Sequence, residues 1–471
     1  MQDEHEDQHM AGQRVGAVSH DGGRNVHSAA AAARKDAMSL RADYARRRIA
    51  SLLVGLVTLF IMGLIFAWSI FTTPIAADTG WDTALLAQNF RVVMICQAIG
   101  CIVSSLIQRR CNGEPRLALI VGGVMVVLGF ALCGVCSGWG VASVFVFYGG
   151  VAAMGAGISF NAILTTVNLW FPDRVGFISG LQMFSFGVAS LVFGVMMDNL
   201  MNTIGWRATL LGLGVIVCVL NVAAAMVIKA PPVDIDEVFP SKSASSAAQG
   251  AAAPDMSKNP HFKTDFCVSK KQFTTAQMMK TPVFWIGLVW FICTASIGLT
   301  LLGESRQDAL SLGTEATLAT LLVGILSLAN GGMSIVYGLL LDRFGLINHM
   351  RLMSGVSVVG ICIVTAAFAA QSSPMFIAGA LIVSAGYGGL PVFSTTFTLN
   401  RYGRLHYSAN CAIGTAFLVP ASLASMILAP AFRGTGGLGD MYAGFVAVMA
   451  VALVALLVFV RRYRKEMSQL V

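Results

Sequence analysis

The chain has 471 residues, 56% of them hydrophobic and only 11% charged, with 49 glycines and a formal net charge of +8. A soluble domain carries roughly 25% charged residues, so a chain this poor in charge must hide its surface in lipid, which excludes the soluble globular classes. Its basic residues stand in short clusters beside apolar runs, where they orient a chain in a bilayer, and this argues against nucleic-acid binding.

Residues 1–46 are rich in Gly, Ala, His and charge, and lack the basic, apolar, small-residue order of a secretory leader. They predict a disordered cytoplasmic tail, followed by Arg46, Arg47 and Arg48 against the first apolar run.

Crossing a bilayer takes about 20 apolar residues. Such runs lie at Ile49 to Thr73, Ala84 to Gln108, Leu117 to Cys136, Val141 to Asn168, Val175 to Met197 and Ala208 to Ile228. After a polar interval they resume at Thr281 to Leu302, Leu318 to Leu341, Leu352 to Ala370, Met375 to Leu399, Ala409 to Ala431 and Tyr442 to Val460. The fold class is therefore an all-α polytopic membrane protein of twelve transmembrane helices in two pseudo-symmetric six-helix bundles, over 47–229 and 281–465. Residues 230–280, with the stretch SKSASSAAQGAAAP, read as a flexible cytoplasmic linker, and 466–471 as a short tail.

Placing the tail in the cytoplasm gives that side Arg109, Arg110, Arg116, Arg174, Lys229, Arg343, Arg351, Arg401, Arg404 and the basic group after Val460. The outside receives Arg207, Arg306 and Arg433. The asymmetry puts both termini inside an inner or plasma membrane. The cysteines fall mostly within apolar runs, where a thiol behaves as a small hydrophobe, so no disulfide framework is expected.

Polar side chains inside lipid are costly and mark function. Arg91 is the basic residue lying well inside a span, either an anchor for an organic anion or a side chain snorkelling outward toward Asp78, Asp82 or headgroups. Gln97 sits about 120° around the same helix, so at most one of the two can be central to a site. Gly157, Asn161, Thr165 and Asn168 share one face of the fourth span, turned toward either a neighbouring helix or a watery cavity. Ser327, Asn330, Ser334 and Tyr337 share a face of the eighth, and Trp68 and Tyr387 fall deep enough to wall a pocket. Gly386 to Pro391 permits local unwinding of the tenth span. Glu304, Asp308 and Glu315 stand with Arg306 in the expected outer loop after the seventh.

Between the eighth and ninth spans the chain reads Gly338, Leu339, Leu340, Leu341, Asp342, Arg343, Phe344, Gly345. A charged turn joining two apolar helices can pair with helix ends, and Gly338 allows a close helix approach. This pattern resembles the loop signature of the major facilitator superfamily. Trp170, Phe171, Pro172, Asp173, Arg174 before a glycine-spaced helix, Gly205, Trp206, Arg207, and GLIFAWSIF in the first span are similar to the oxalate/formate antiporter family and its monocarboxylate-transporter relatives. The resemblance implies alternating access between two bundles moving small organic anions, with a coupling ion or an exchanged anion. Gly338, Asp342, Arg343 and Gly345 would form the conformational-switch loop. Members that handle dicarboxylates carry an arginine where this chain has Met333 and a lysine within the stretch that here runs Gly414 to Ser425 without one. Losing both cations disfavours a dianion such as oxalate, since unpaired buried charge costs several kcal/mol.

The expected function is a monomeric secondary transporter of a small monocarboxylate-like anion or a polar metabolite, in contact with membrane lipid. Arg91, Trp68, Asn161, Asn330, Tyr387 and Asn410 are the candidate substrate-binding residues. Export of lipophilic compounds, and a non-transporting membrane sensor signalling through its linker, stand as alternatives. No nucleophile with a base, no metal-ligand cluster and no phosphate-cradling loop is evident, so no enzyme, cofactor or metal is expected.

Overall fold

The computed structural model describes residues 38–66, 68–232, 234–239, 269, 271–433 and 437–469. Most of the predicted tail and the linker stretch 240–268 lie outside them. The chain forms two compact units, Met1–Ala50 and Ser51–Val471. In the first, residues 38–50 are helical, so 38–46, the end of the stretch read from sequence as a disordered tail, is helix instead, and Arg47 pairs with Asp43 at 2.9 Å.

The second unit is helical because a chain in lipid has to satisfy its own backbone hydrogen bonds. Helix α1 covers 51–62, tightens into a 3₁₀ turn at Gly63–Phe66 and resumes as Trp68–Thr79. Then follow α2 (Thr83–Arg110), α3 (Arg116–Val135), α4 (Ala153–Trp170, entered through a π-helical stretch Val144–Ala152), α5 (Val175–Ile204) and α6 (Trp206–Val227). Helix α7 is Pro282–Ser311, and one long element, Ala316–Ala369, contains α8 (316–344) and α9 (346–369). Helix α10 comprises Ser373–Tyr387 and Leu390–Tyr402, α11 comprises Tyr407–Thr415 and Leu418–Arg433, and α12 is Leu438–Met467. Among the described residues ten helices are long and apolar enough to cross a membrane. Splitting the Ala316–Ala369 element in two and adding α5 gives twelve elements.

Two boundaries differ from the sequence reading, and a break in α10 falls where that reading allowed one. The turn after α8 shrinks to Gly345, at φ 81° and ψ 169°, a conformation glycine adopts without penalty. Leu346, Ile347 and Met350 are therefore helical and buried rather than part of a loop. Helix α7 runs on to Ser311 and carries Glu304, Arg306 and Asp308 out of the expected loop; Asp308 is buried and accepts a hydrogen bond from Tyr442. Helix α10 breaks between Tyr387 and Leu390, inside the Gly386 to Pro391 stretch.

Cross-contacts sort the helix ends onto two faces. On one, here called the C-terminal face, Arg116 donates to Ala225 O, Trp170 to Lys229 O, and Arg401 pairs with Glu466. On the opposite face Asp78 accepts from Trp206 and Arg207. The first half, α1 to α6, meets the second, α7 to α12, where α5 packs on α8 and α10 and where α2 and α4 pack on α11.

Candidate functional site

Where the halves meet lies a cavity of about 290 Å³. Helices α2, α4 and α5 contribute Phe90, Met94, Gln97, Phe160, Leu164 and Phe186. The second half contributes Phe291 and Leu299 from α7, Asn330 and Ser334 from α8, Tyr387, Ser394 and Thr395 from α10, and Thr415, Leu418 and Ser422 from α11. Among the described residues that line it, none is charged. The Tyr387 ring presses on α7, where a Cβ at Gly298 would lie 2.5 Å from its Cδ2, so that glycine sets how close the ring can come.

Toward the C-terminal face the cavity is shut by contacts between the halves. The Asp342 carboxylate accepts hydrogen bonds from Gly176 N and Phe177 N, both at 2.8 Å. These are first-turn amides of α5, which have no partner within their own helix and carry the positive end of its dipole. The bond forms because α5 and α8 touch through glycine: a Cβ on Gly338 would stand 2.3 Å from Gly176 O. A neutral set of contacts closes the other side. Asn168 donates to Tyr407 OH at 3.0 Å and accepts from Gln182 at 2.9 Å, while Asn161 donates to Ser408 Oγ at 3.2 Å. Arg404, in the turn before α11, donates to Leu169 O at 2.6 Å. Burial pushes its guanidinium down to about 10, which still leaves it charged at neutral pH.

Of the residues singled out from sequence, Asn330 and Tyr387 line the cavity together. Trp68 does not; it is buried in the first half, packed at a 57° tilt against Tyr148 with ring centroids 4.5 Å apart and donating to Leu86 O at 2.7 Å. Asn161 sits in the contacts of the C-terminal face. Asn410 accepts from Thr275 and donates to Phe273 O, both at 3.0 Å, and so ties the end of the linker to α11. Arg91 is exposed and bonds Gln88, whereas Gln97 lines the cavity. The 120° between those two side chains leaves room for one of them, and the fold turns Gln97 inward. The polar face of α4 points at neighbouring helices, with Gly157 against the Gln97 backbone.

Sequence reasoning passed over Ser394, Thr395, Thr415 and Ser422. A signal existed: Tyr387, Pro391 and Thr395 are spaced by four, as are Gly414, Leu418 and Ser422, so each set marks one helical face.

Comparison with known proteins accords with this arrangement. The family model for the Major Facilitator Superfamily matches residues 52–425. The oxalate:formate antiporter of Oxalobacter formigenes is 26% identical over 365 residues, covering 74% of this chain and 78% of that protein. An uncharacterized MFS-type transporter of Escherichia coli (strain K12), YhjX, is 25% identical over 368 residues, or 77% and 84% of the two chains. Among solved structures, the proton:xylose symporter XylE superposes with a TM-score of 0.66 at 14% identity, over 88% of this chain and 95% of that one.

Proposed function

We propose, since the chain belongs to the Major Facilitator Superfamily and is thus a multi-pass membrane transporter, that it moves a small monocarboxylate or a neutral polar metabolite by alternating access around the central cavity. The observation that carries this is the uncharged lining. A dianion brought there would lose its hydration without meeting a cation, at a cost of several kcal/mol, whereas a solute with one ionisable group or none pays far less. The relative named for oxalate and formate supports an organic-acid cargo, and the absence of cationic lining favours the formate end of that pair over the oxalate end.

In this reading Asn330 and Tyr387 contact the solute, and Asp342, with Gly338 and Gly345, holds the C-terminal face closed until the halves rock. Residues 47–229 and 281–465 are the two bundles, joined by the 230–280 linker in a monomer. In this reading the C-terminal face is cytoplasmic, in an inner or plasma membrane, and the basic residues gathered there support that orientation. Counterflow in proteoliposomes with labelled monocarboxylates, dicarboxylates and neutral metabolites tests the assignment. Exchange confined to monocarboxylates or neutral solutes is expected; preferential exchange of dicarboxylates overturns it. The apolar wall of Phe90, Met94, Phe160 and Phe186 favours a second reading, export of lipophilic compounds, for which drug resistance without carboxylate exchange is the discriminating result.

A further inference from the structure

The polar groups around the cavity sort into those already engaged and those still available. Ser334 donates to Gly388 O, Thr395 to Ser179, Thr415 to Cys411 O and Ser422 to Leu418 O, and Ser394 is only 3% exposed. Gln97 on α2, Asn330 on α8 and Tyr387 on α10 are different. Each is half-buried and lines the cavity, and none of the three side chains has a hydrogen-bond partner among the described residues. A Cβ on Gly388 would stand 3.2 Å from Asn330 Oδ1, so the glycine at the α10 break leaves that carboxamide its room.

Two of the three are carboxamides, and each half of the molecule supplies one. A carboxamide holds an acceptor and two donors in one plane. A carboxylate can only accept, so it would use the NH₂ groups and leave two carbonyl oxygens facing a negative charge, with no cation in the lining to offset it. The edge of a cyclic amide carries donor and acceptor side by side and satisfies both atoms of a carboxamide at once, the geometry by which Asn and Gln grip a base edge. The rest of the wall suits a flat ring. Phe90 is 40% exposed, Phe186 is half-buried, and Phe160 meets Phe186 edge-on with centroids 5.1 Å apart, so aromatic surface is open to stacking. A water's share of liquid volume is about 30 Å³, so 290 Å³ holds roughly ten non-hydrogen atoms, the size of a single heterocyclic base.

We propose that the cargo is a neutral, planar heterocyclic amide of the nucleobase class, its edges hydrogen-bonded to Gln97 and Asn330 and its face lying on Phe90 and Phe186. This rests on the transport reading above and takes its neutral branch.

The test uses the full chain in proteoliposomes and counterflow of labelled uracil, hypoxanthine, benzoate and formate, with 1,3-dimethyluracil as a competitor. Uracil and hypoxanthine are expected to exchange. Dimethyluracil keeps the ring and its carbonyls but has lost both N–H donors, and should compete about tenfold more weakly than unlabelled uracil. Gln97→Leu and Asn330→Leu should each raise the half-saturation constant for uracil about fivefold, the worth of one hydrogen bond. Benzoate or formate exchanging while neither base does, or dimethyluracil competing as well as uracil, overturns this inference and leaves the transport reading standing. If the folded protein exchanges no solute of the panel, the transport reading and this inference fall together. The wild-type panel decides the matter even where neither leucine variant assembles.

Discussion

Replacing Asp342 by Asn tests whether its carboxylate holds the C-terminal face shut. Two charge-assisted bonds join it to the first amides of α5, each worth about 1.5–3 kcal/mol. Asparagine keeps one acceptor oxygen and presents an NH₂ to the other amide, so one bond is lost. Removing the negative charge from the helix N-terminus adds about 0.3–1 kcal/mol. The closed arrangement should therefore lose about 2–4 kcal/mol relative to an open one, a shift of roughly 30- to 900-fold in their ratio. Cys411, fully buried in α11 where the halves meet, supplies a native reporter. Maleimide modification, read by mass spectrometry of its peptide, should accelerate sharply in Asp342→Asn. If Cys411 stays as protected as in the wild type while the variant folds normally, the carboxylate is not what keeps this face closed.

Gly338→Ala places a methyl against Gly176 O and should lower stability by about 1–3 kcal/mol, as overpacking does. Gly332→Ala, with no atom within 4 Å of its added Cβ, should leave the thermal midpoint unchanged, and equal midpoints for the two variants would refute the close-contact account. Arg91→Ala should keep the KM for uptake within about twofold, because the side chain lies outside the cavity lining; an increase of the order expected for a lost charged contact, about tenfold or more, would return Arg91 to the site. The Asp78 carboxyl is held below its ordinary value of 3.8 by the Trp206 N–H first and by Arg207. Since the folded form binds the proton less tightly, the tie contributes above pH 3.8 and is lost as pH falls through the lower folded value. Thermal midpoints taken below pH 4 should show a smaller acid-side decline in Asp78→Asn than in the wild type.

The fold was legible because lipid leaves few choices. Each apolar run had to be a helix to satisfy its backbone, so the runs around the linker translate into α1 to α12, and a glycine after Arg343 and Phe344 marks where α8 stops. The contact made by Asp342 was legible for a similar reason: Asp and Arg between two spans can stand only at a water boundary, and there a helix N-terminus is the nearest unsatisfied group. Boundaries were harder to read. The residues after Gly345 include Asn348, His349 and Arg351 and look like a loop, yet Leu346, Ile347 and Met350 have a buried surface to pack on, and that packing outweighs the polar composition. Asp308 seemed a solvated loop carboxylate because nothing local announces that Tyr442, 134 residues on, will meet it.

What the sequence determined by itself was the succession of spans, the signature loop and an interior poor in fixed charge, since these depend on composition along one segment at a time. What the tertiary structure alone decided was rotation: Gln97 rather than Arg91 turned inward, Ser394 on the cavity wall, and Asn161 and Asn410 in contacts away from it. A helix that is apolar on every side carries no preferred face of its own. Its orientation is set by the neighbours it packs against, here through Gly157 on α4 and the Gly176 and Gly338 contact between α5 and α8, and that information exists only once the helices are assembled.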